Sequence, residues 1–246
     1  MSKSLEKGIA ALLFLSTRKS AGVTELASEL KVNKSTAFRI LDTFQKAGMV
    51  EKDKKTLRYR LGPAILGLSD CYYNNSSLIK VAVPVMKQLA DDLHKSVHLC
   101  VLSNNNAVIV EQVFSPKQVQ NTKIGNFEPL HCSAVGKCLL AFAQEKDREE
   151  MLSDNNLFEM FTEKTICNKD ELTSEIQQIL EDGYAVDNEE FNSGVKCVAV
   201  PIFGKYRCMY SVGISGGTEK MTSAKIHVMI PFLIKAANHI ADKGWQ

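Results

Sequence analysis

The chain has 246 residues, 45% of them hydrophobic, enough to bury a sizeable core in one large domain or two smaller ones. No apolar run is long enough to span a bilayer, and the start MSKSLEKG lacks a signal peptide's hydrophobic stretch, so a cytoplasmic chain with no membrane partner is expected. The net charge of +2 conceals a split: residues 1–62 carry 13 Lys and Arg against 6 Asp and Glu, and the remainder 17 against 22. A basic head on an acidic body calls for a polyanion partner at the head alone. Seven cysteines, odd in number and without a CxxC pair, argue against a disulfide framework or a structural zinc ribbon. Most are expected to be reduced and buried as small hydrophobes.

Leu5, Ile9, Leu12 and Leu13 mark a first helix able to pack on the next two. In the stretch VTELASELKVNKSTAFRILDTF, residues 23–44, Val23, Leu26, Ala27 and Leu30 recur at helical spacing, with Thr24 placed to cap the first turn. After a break at Lys31 and Val32, Asn33 stands where an N-cap belongs, and Ala37, Ile40, Leu41 and Phe44 form an apolar stripe. The opposite face carries Ser35, Phe38, Arg39, Asp42 and Lys46. An ordinary helical hairpin with a solvated charged face would show the same pattern. The segment downstream of it favours helix-turn-helix DNA recognition. There Leu57, Tyr59 and Leu61 alternate with Thr56, Arg58 and Arg60, and Asp53, Lys54 and Lys55 supply a charged turn. That reads as a two-stranded wing able to lie along a phosphate backbone. The reading end is expected to comprise Asn33, Lys34, Ser35, Thr36, Phe38 and Arg39, with Lys54, Lys55 and Arg58 on the wing.

Beyond the wing, residues 63–73 read as a linker helix with Pro63 in its first turn, and the Asn/Ser run 74–77 as a hinge. A helix over 78–93 precedes a hairpin of strands 97–102 and 107–113, and 119–125 reads as a third strand. A helix entered through His131, Cys132 and Ser133 comes next, then helices near 148–152 and 171–180. Two β-rich segments turn at Gly204 and Lys205, and a last helix covers about 223–240. Local strand pairing without regular βαβ alternation predicts an α+β chain whose second domain is an antiparallel sheet flanked by helices. The expected division is 1–62, a linker and hinge at 63–77, and 78–246.

These blocks together resemble the IclR family of transcription regulators. The resemblance runs through SLEKGIAALLFL, NKSTAFRIL, GMVEKDKKTLRYRLG, IGNFEPLHCSAVGKCLLAF, DGYAVDNEEFNSGVKCVAVPIF and GISGG, and so covers essentially the whole chain. It implies an N-terminal winged helix-turn-helix and a C-terminal effector domain related to the GAF fold, used as dimers or dimers of dimers. The partners it implies are a double-stranded operator and a small organic acid effector. Repression of a catabolic operon is the expected role, without cofactor or metal. Lys31 and Phe38 depart from the family's commoner Gly and His, which bears on operator sequence.

The start of the helix after Leu130 is rich in small residues. Free backbone N–H groups at such a start suit a small carboxylate, although a close helix–sheet junction needs small residues too. The resemblance implies an effector pocket formed by Ser133, Ala134, Val135, Asp187, Cys197 and Ser215, with Gly213 where some relatives have serine. Asp187 beside an acidic ligand requires a protonated partner or a ligand hydroxyl, which suits a hydroxy- or hydrated keto-acid. The competing class is a thiol- or metal-dependent enzyme using Cys132 or Cys197 with His131 and Asp187.

Overall fold

The computed structural model describes residues 2–115, 122–205 and 207–245. The chain divides into two compact units, one ending at Asn75 and one beginning at Ser76.

The first unit holds α1 (Lys3–Ser16), α2 (Val23–Glu29), α3 (Lys34–Lys46), β1 (Val50–Lys52), β2 (Tyr59–Leu61) and α4 (Ala64–Asn74). Its core joins Ala11, Phe14 and Leu15 of α1 to Leu26, Ala37, Leu41, Val50 and Tyr59. The packing face of α1 is therefore only partly the one expected: Leu12 packs against this core, but the other three residues do not. Leu5, Ile9 and Leu13 are all more than half exposed, whereas Gly8, Ala11, Phe14 and Leu15 turn inward. Gly8 permits this: a Cβ there would come within 3.3 Å of the Phe44 ring, so the small-residue face, not the leucine face, approaches α3. Nor does Thr24 cap α2. Gly22 is the N-cap, and the Glu25 carboxylate reaches back to accept its N–H at 2.6 Å. Lys31 takes a left-handed φ of 51° in the break between α2 and α3, the conformation for which glycine is commonly used. Leu57 also has a positive φ of 58° and lies exposed in the wing turn, so the strand alternation begins only at Tyr59. In α4 no residue is buried, and Leu66, Leu68 and Tyr72 stand in solvent.

The second unit contains α5 (Ser77–Leu93), β3 (Ser96–Ser103), β4 (Asn106–Val113), β5 (Phe127–Glu128), α6 (Ala134–Ala141), α7 (Glu145–Leu152), α8 (Lys169–Asp182), β6 (Ala185–Asn188), β7 (Val195–Phe203), β8 (Cys208–Gly217) and α9 (Ser223–Gly244). The six strands form one antiparallel sheet in the order β5-β4-β3-β8-β7-β6. Asn104 and Asn105, both at positive φ, close the β3–β4 hairpin as a two-residue turn. Helices α5 and α9 pack together and against β3, β4 and β7, while α6 lies on β7 and β8 with α8 behind it. The third strand is shorter and later than expected. Of the predicted 119–125 segment, residues 119–121 lie outside the described residues. Ile124 and Gly125 form a turn before Phe127 and Glu128 pair with β4. Of the seven free cysteines, Cys100, Cys132 and Cys138 are buried, but Cys71 is exposed because α4 buries nothing.

α6 approaches the preceding turn so closely that only glycine fits at position 136. A Cβ there would stand 2.1 Å from the Pro129 carbonyl oxygen and 2.8 Å from Leu130 Cα. Gly136→Ala should therefore destabilise the second unit by about 1–3 kcal/mol or more, as overpacking against backbone does. Urea unfolding followed by circular dichroism measures this; an unchanged midpoint would mean that the 129–130 backbone gives way freely.

Candidate functional sites

In the head, Asn33 caps α3 and its Oδ1 accepts the Thr36 N–H at 2.8 Å and the Ser35 hydroxyl at 2.9 Å. Lys34, Ser35 and Arg39 are exposed on α3, and Phe38 remains 48% exposed, an apolar group held towards solvent. On the wing, Asp53 Oδ1 accepts the N–H groups of Lys55 and Thr56 and the Thr56 hydroxyl, which pins the tip in a tight turn. Those bonds lower the Asp53 pKa below the usual carboxylate range. Lys54 and Lys55 are exposed and form no salt bridge among the described residues. Arg58 is engaged within the head. Its guanidinium donates to the Ser20 hydroxyl at 3.0 Å, the Ser20 carbonyl at 3.1 Å and Glu25 at 2.7 Å. Arg58 thus ties the wing to the start of α2, while the two lysines stay at the tip.

In the second unit the expected effector residues come together. Ser133, Ala134, Val135, Asp187, Cys197 and Ser215 all line one cavity of about 240 Å³. The sheet register explains how. Asp187 lies opposite Cys197, Cys197 opposite Ser215, and Ser215 opposite Ser96, a row crossing β6, β7, β8 and β3. Two residues along, on the same face, His98 lies opposite Gly213 and Gly213 opposite Ala199. α6 covers these rows with its N-terminus. The Ser133 hydroxyl donates to the Pro129 carbonyl at 2.7 Å and accepts the Gly136 N–H at 3.0 Å, so it builds the turn and has little capacity left for a ligand. The N–H groups of Ala134 and Val135 open the helix without a partner among the described residues. Gly213 is demanded by this contact: a Cβ there would lie 2.9 Å from Val135 Cγ1.

The electrostatics of the cavity are set by burial. Asp187 is 2% exposed, and burial lifts its pKa to about 6, against the N–H groups of Glu190 and Phe191 that its Oδ1 accepts at 2.7 and 3.4 Å. Burial and then the charge of Asp187 push Glu128 up to about 7. Burial of its sulfur and then the charge of Asp187 hold the Cys197 thiol well above its ordinary value. No Lys or Arg lines the cavity among the described residues. Behind α6, the fully buried Lys137 bonds Glu175 at 2.7 Å and Glu190 at 2.8 Å. Burial opposes its charge, but the two carboxylates outweigh burial and raise its pKa.

Residues 71–242 match the family described as the bacterial transcriptional regulator IclR C-terminal, and residues 4–54 match the IclR helix-turn-helix domain. The chain belongs to the IclR family. It is 34% identical over 222 residues to the glycerol operon regulatory protein of Streptomyces coelicolor, spanning 89% of this chain and 86% of that protein. With the HTH-type transcriptional repressor AllR of Escherichia coli it shares 29% identity over 223 residues, 89% and 82% of the two chains. Among solved structures, an IclR homolog complexed with 4-hydroxybenzoate from Microbacterium hydrocarbonoxydans has the same fold. The TM-score is 0.83 at 21% identity, over 96% of this chain and 97% of that one. This IclR-family protein is a DNA-binding regulator of transcription and not an enzyme.

His131 does not face Asp187 and Cys197. It lines a different cavity, packs near Phe158 and Phe161, and its Nε2 bonds the Glu159 carbonyl at 2.8 Å. Cys132 is fully buried, and burial raises its thiol far above the range in which a thiolate forms at neutral pH. Among the described residues no group of three or more His, Cys, Asp and Glu is placed to hold a metal ion.

Sequence reasoning missed His98, Glu128 and Phe191 on the cavity wall. The period-two alternation of β3 carried a signal for His98, which shares a face with Cys100 while Val97 and Leu99 take the other.

The raised carboxyls predict a pH dependence. Asp187 and Glu128 ionise at about 6 and about 7 when folded, against 3.8 and 4.5 otherwise. The folded state therefore binds more protons above pH 4, so stability is full below the unfolded values and is lost as pH rises through about 7. The urea midpoint of the second unit should fall over that window, and less so in Glu128→Gln. Parallel pH curves for the two proteins would show that Glu128 titrates normally.

Proposed function

We propose that this IclR-family regulator is a repressor of a catabolic operon that releases its operator when a small carboxylic acid occupies the cavity under α6. The observation that carries the proposal is that the six residues of the expected effector site line one cavity, against two N–H groups at a helix start that have no partner among the described residues. The ligand carboxylate accepts from Ala134 and Val135, where the helix dipole favours an anion and no basic side chain is needed. Asp187 accepts a hydroxyl of the ligand, and Cys197 and Ser215 form the wall between them. The AllR name supports repression, the glycerol operon regulatory protein supports a catabolic setting, and the 4-hydroxybenzoate complex supports an acid as effector. Ala134→Leu fills the space beside the N–H groups, so acids should no longer release the operator from this variant in an electrophoretic mobility assay. Release by the same acid at the same concentration would place the effector elsewhere.

On DNA, Asn33, Lys34, Ser35, Thr36, Phe38 and Arg39 form the reading end of α3, with Phe38 exposed to meet a thymine methyl and Arg39 to reach a base edge or phosphate. Lys54 and Lys55 bind phosphates, and Arg58 holds the wing in place for them. Replacing Lys54 and Lys55 by Ala should weaken binding to all sequences alike and flatten the slope of log K against log salt by about 0.9 for each phosphate no longer neutralised. An unchanged slope removes the tip from the interface.

Two heads are needed for a near-palindromic operator, and the exposed apolar residues of α4 and α1 are the surface we assign to pairing: Leu66, Leu68 and Tyr72 with Leu5, Ile9 and Leu13. Light scattering should show a dimer or a dimer of dimers at micromolar concentration, and Leu66→Ser with Leu68→Ser should weaken both association and operator binding. A monomer with full operator affinity would contradict this assignment.

A further inference from the structure

The cavity carries more acceptors than a plain carboxylic acid can use. Asp187 enters from β6, Glu128 from β5 and His98 from β3. The His98 ring is held on one side by the Ser215 hydroxyl, 3.1 Å from Nε2, while its Nδ1 is buried with no hydrogen-bond partner among the described residues. A buried imidazole nitrogen left unpaired costs free energy that a ligand hydroxyl at that wall would recover. Among the described residues neither carboxyl of the wall faces a basic side chain on the lining, and although Asp187 Oδ1 already accepts the Glu190 and Phe191 N–H groups, its second oxygen and the Glu128 carboxyl can meet ligand hydroxyls. Phe114 and Phe191 add apolar faces suited to the C–H side of a polyol. At about 240 Å³ the space falls below the roughly 300–1,000 Å³ of drug-sized sites, which fits a metabolite of a few carbons.

We propose that the effector is a polyhydroxylated acid, bound by its carboxylate at α6 and by separate hydroxyls at Asp187 and at the Glu128 and His98 positions. This rests on the cavity being the effector site. A single ammonium group would also satisfy a carboxyl, but it concentrates its donors at one point. Acceptors placed on three different strands match hydroxyls spaced along a chain. Glu128 and His98 are then specificity-determining residues: they decide the length and hydroxylation of the acid, while the helix start decides that it is an acid. Burial holds His98 neutral, with its pKa lowered to about 4, so it serves as a hydrogen-bonding group and not as a cation for the carboxylate.

The test is isothermal calorimetry on the full chain with four- to six-carbon aldonic acids, the chain-matched butanoate and hexanoate, 6-aminohexanoate and glyoxylate. At least one aldonic acid should bind about 100-fold or more tightly than its chain-matched plain acid, two buried hydrogen bonds being gained. Glu128→Gln and His98→Phe should each weaken that acid by about tenfold and glyoxylate by much less. His98→Leu replaces His98→Phe if the latter does not fold, as judged by circular dichroism. The proposal is overturned if no aldonic acid binds, if hexanoate or 6-aminohexanoate binds as tightly, or if both substitutions leave aldonate affinity unchanged. Ala134→Leu separates the two readings. If it abolishes acid binding while aldonates show no advantage, only this inference falls. If an acid binds regardless of Ala134→Leu, the assignment of the cavity itself falls.

Discussion

The second unit depends on a buried cation. Lys137 lies one turn into α6, has no exposed surface, and is neutralised by Glu175 of α8 and by Glu190 in the loop after β6. Removing either partner from a buried pair leaves a charge out of water without compensation, a loss on the order of 3–5 kcal/mol. The two carboxylates are thereby obliged to stay where the ammonium is. Glu190 in turn gives its N–H to Asp187, and its carbonyl accepts the hydroxyls of Thr162 and Thr165. One ion triad thus fixes the helix that supplies N–H groups to the cavity, the loop that aims its carboxyl, and the helix behind both. Its packing partner is Gly136, whose missing side chain lets the same helix descend onto the preceding turn.

On the proposed function, the two units meet anions by opposite means. The head offers lysines on a short, exposed turn, where each charge is solvated, mobile and screened by salt; that suits a long polyanion bound at many weak points. The cavity has no lysine or arginine on its lining among the described residues. It presents amide dipoles already oriented by a capped helix, in a place from which water is largely removed, where a few directed bonds count for more. A lysine inside so small a cavity next to Asp187 would pair with that carboxyl and leave neither free for a ligand. The arrangement in which the cation is placed behind the helix and the dipoles in front avoids that quenching.

Local pattern made much of this legible. The α3 stripe, its Asn33 cap, the charged wing turn and the β3–β4 hairpin all depend on neighbours within a few positions, so propensity and periodicity report them directly. The six residues of the expected effector site were reached through likeness of motif, and their convergence on one cavity reflects strand register. Where local pattern misled, a tertiary contact had overridden it. Leucines on α1 looked like a core face, but Gly8 and Ala11 allow the closer approach to α3 and leave Leu5, Ile9 and Leu13 outside. Thr24 looked like a cap, but the Glu25 carboxylate, itself tied to Arg58 from the wing, caps from within.

The sequence by itself determined the division into a basic head and an acidic body, the helix-turn-helix, and the antiparallel character of the second unit, because charge segregation and hydrophobic period are properties of the chain read locally. Only the tertiary structure decided that Arg58 serves the head's own architecture, that His131 and Cys197 never meet, and that His98 and Glu128 share a cavity with Asp187. Those outcomes depend on which strands lie side by side and how closely a helix can settle on them. His98, Glu128 and Asp187 are separated by 30 and 59 positions along the chain, and only the pairing order β5-β4-β3-β8-β7-β6 and the curl of the sheet beneath α6 bring them to one wall.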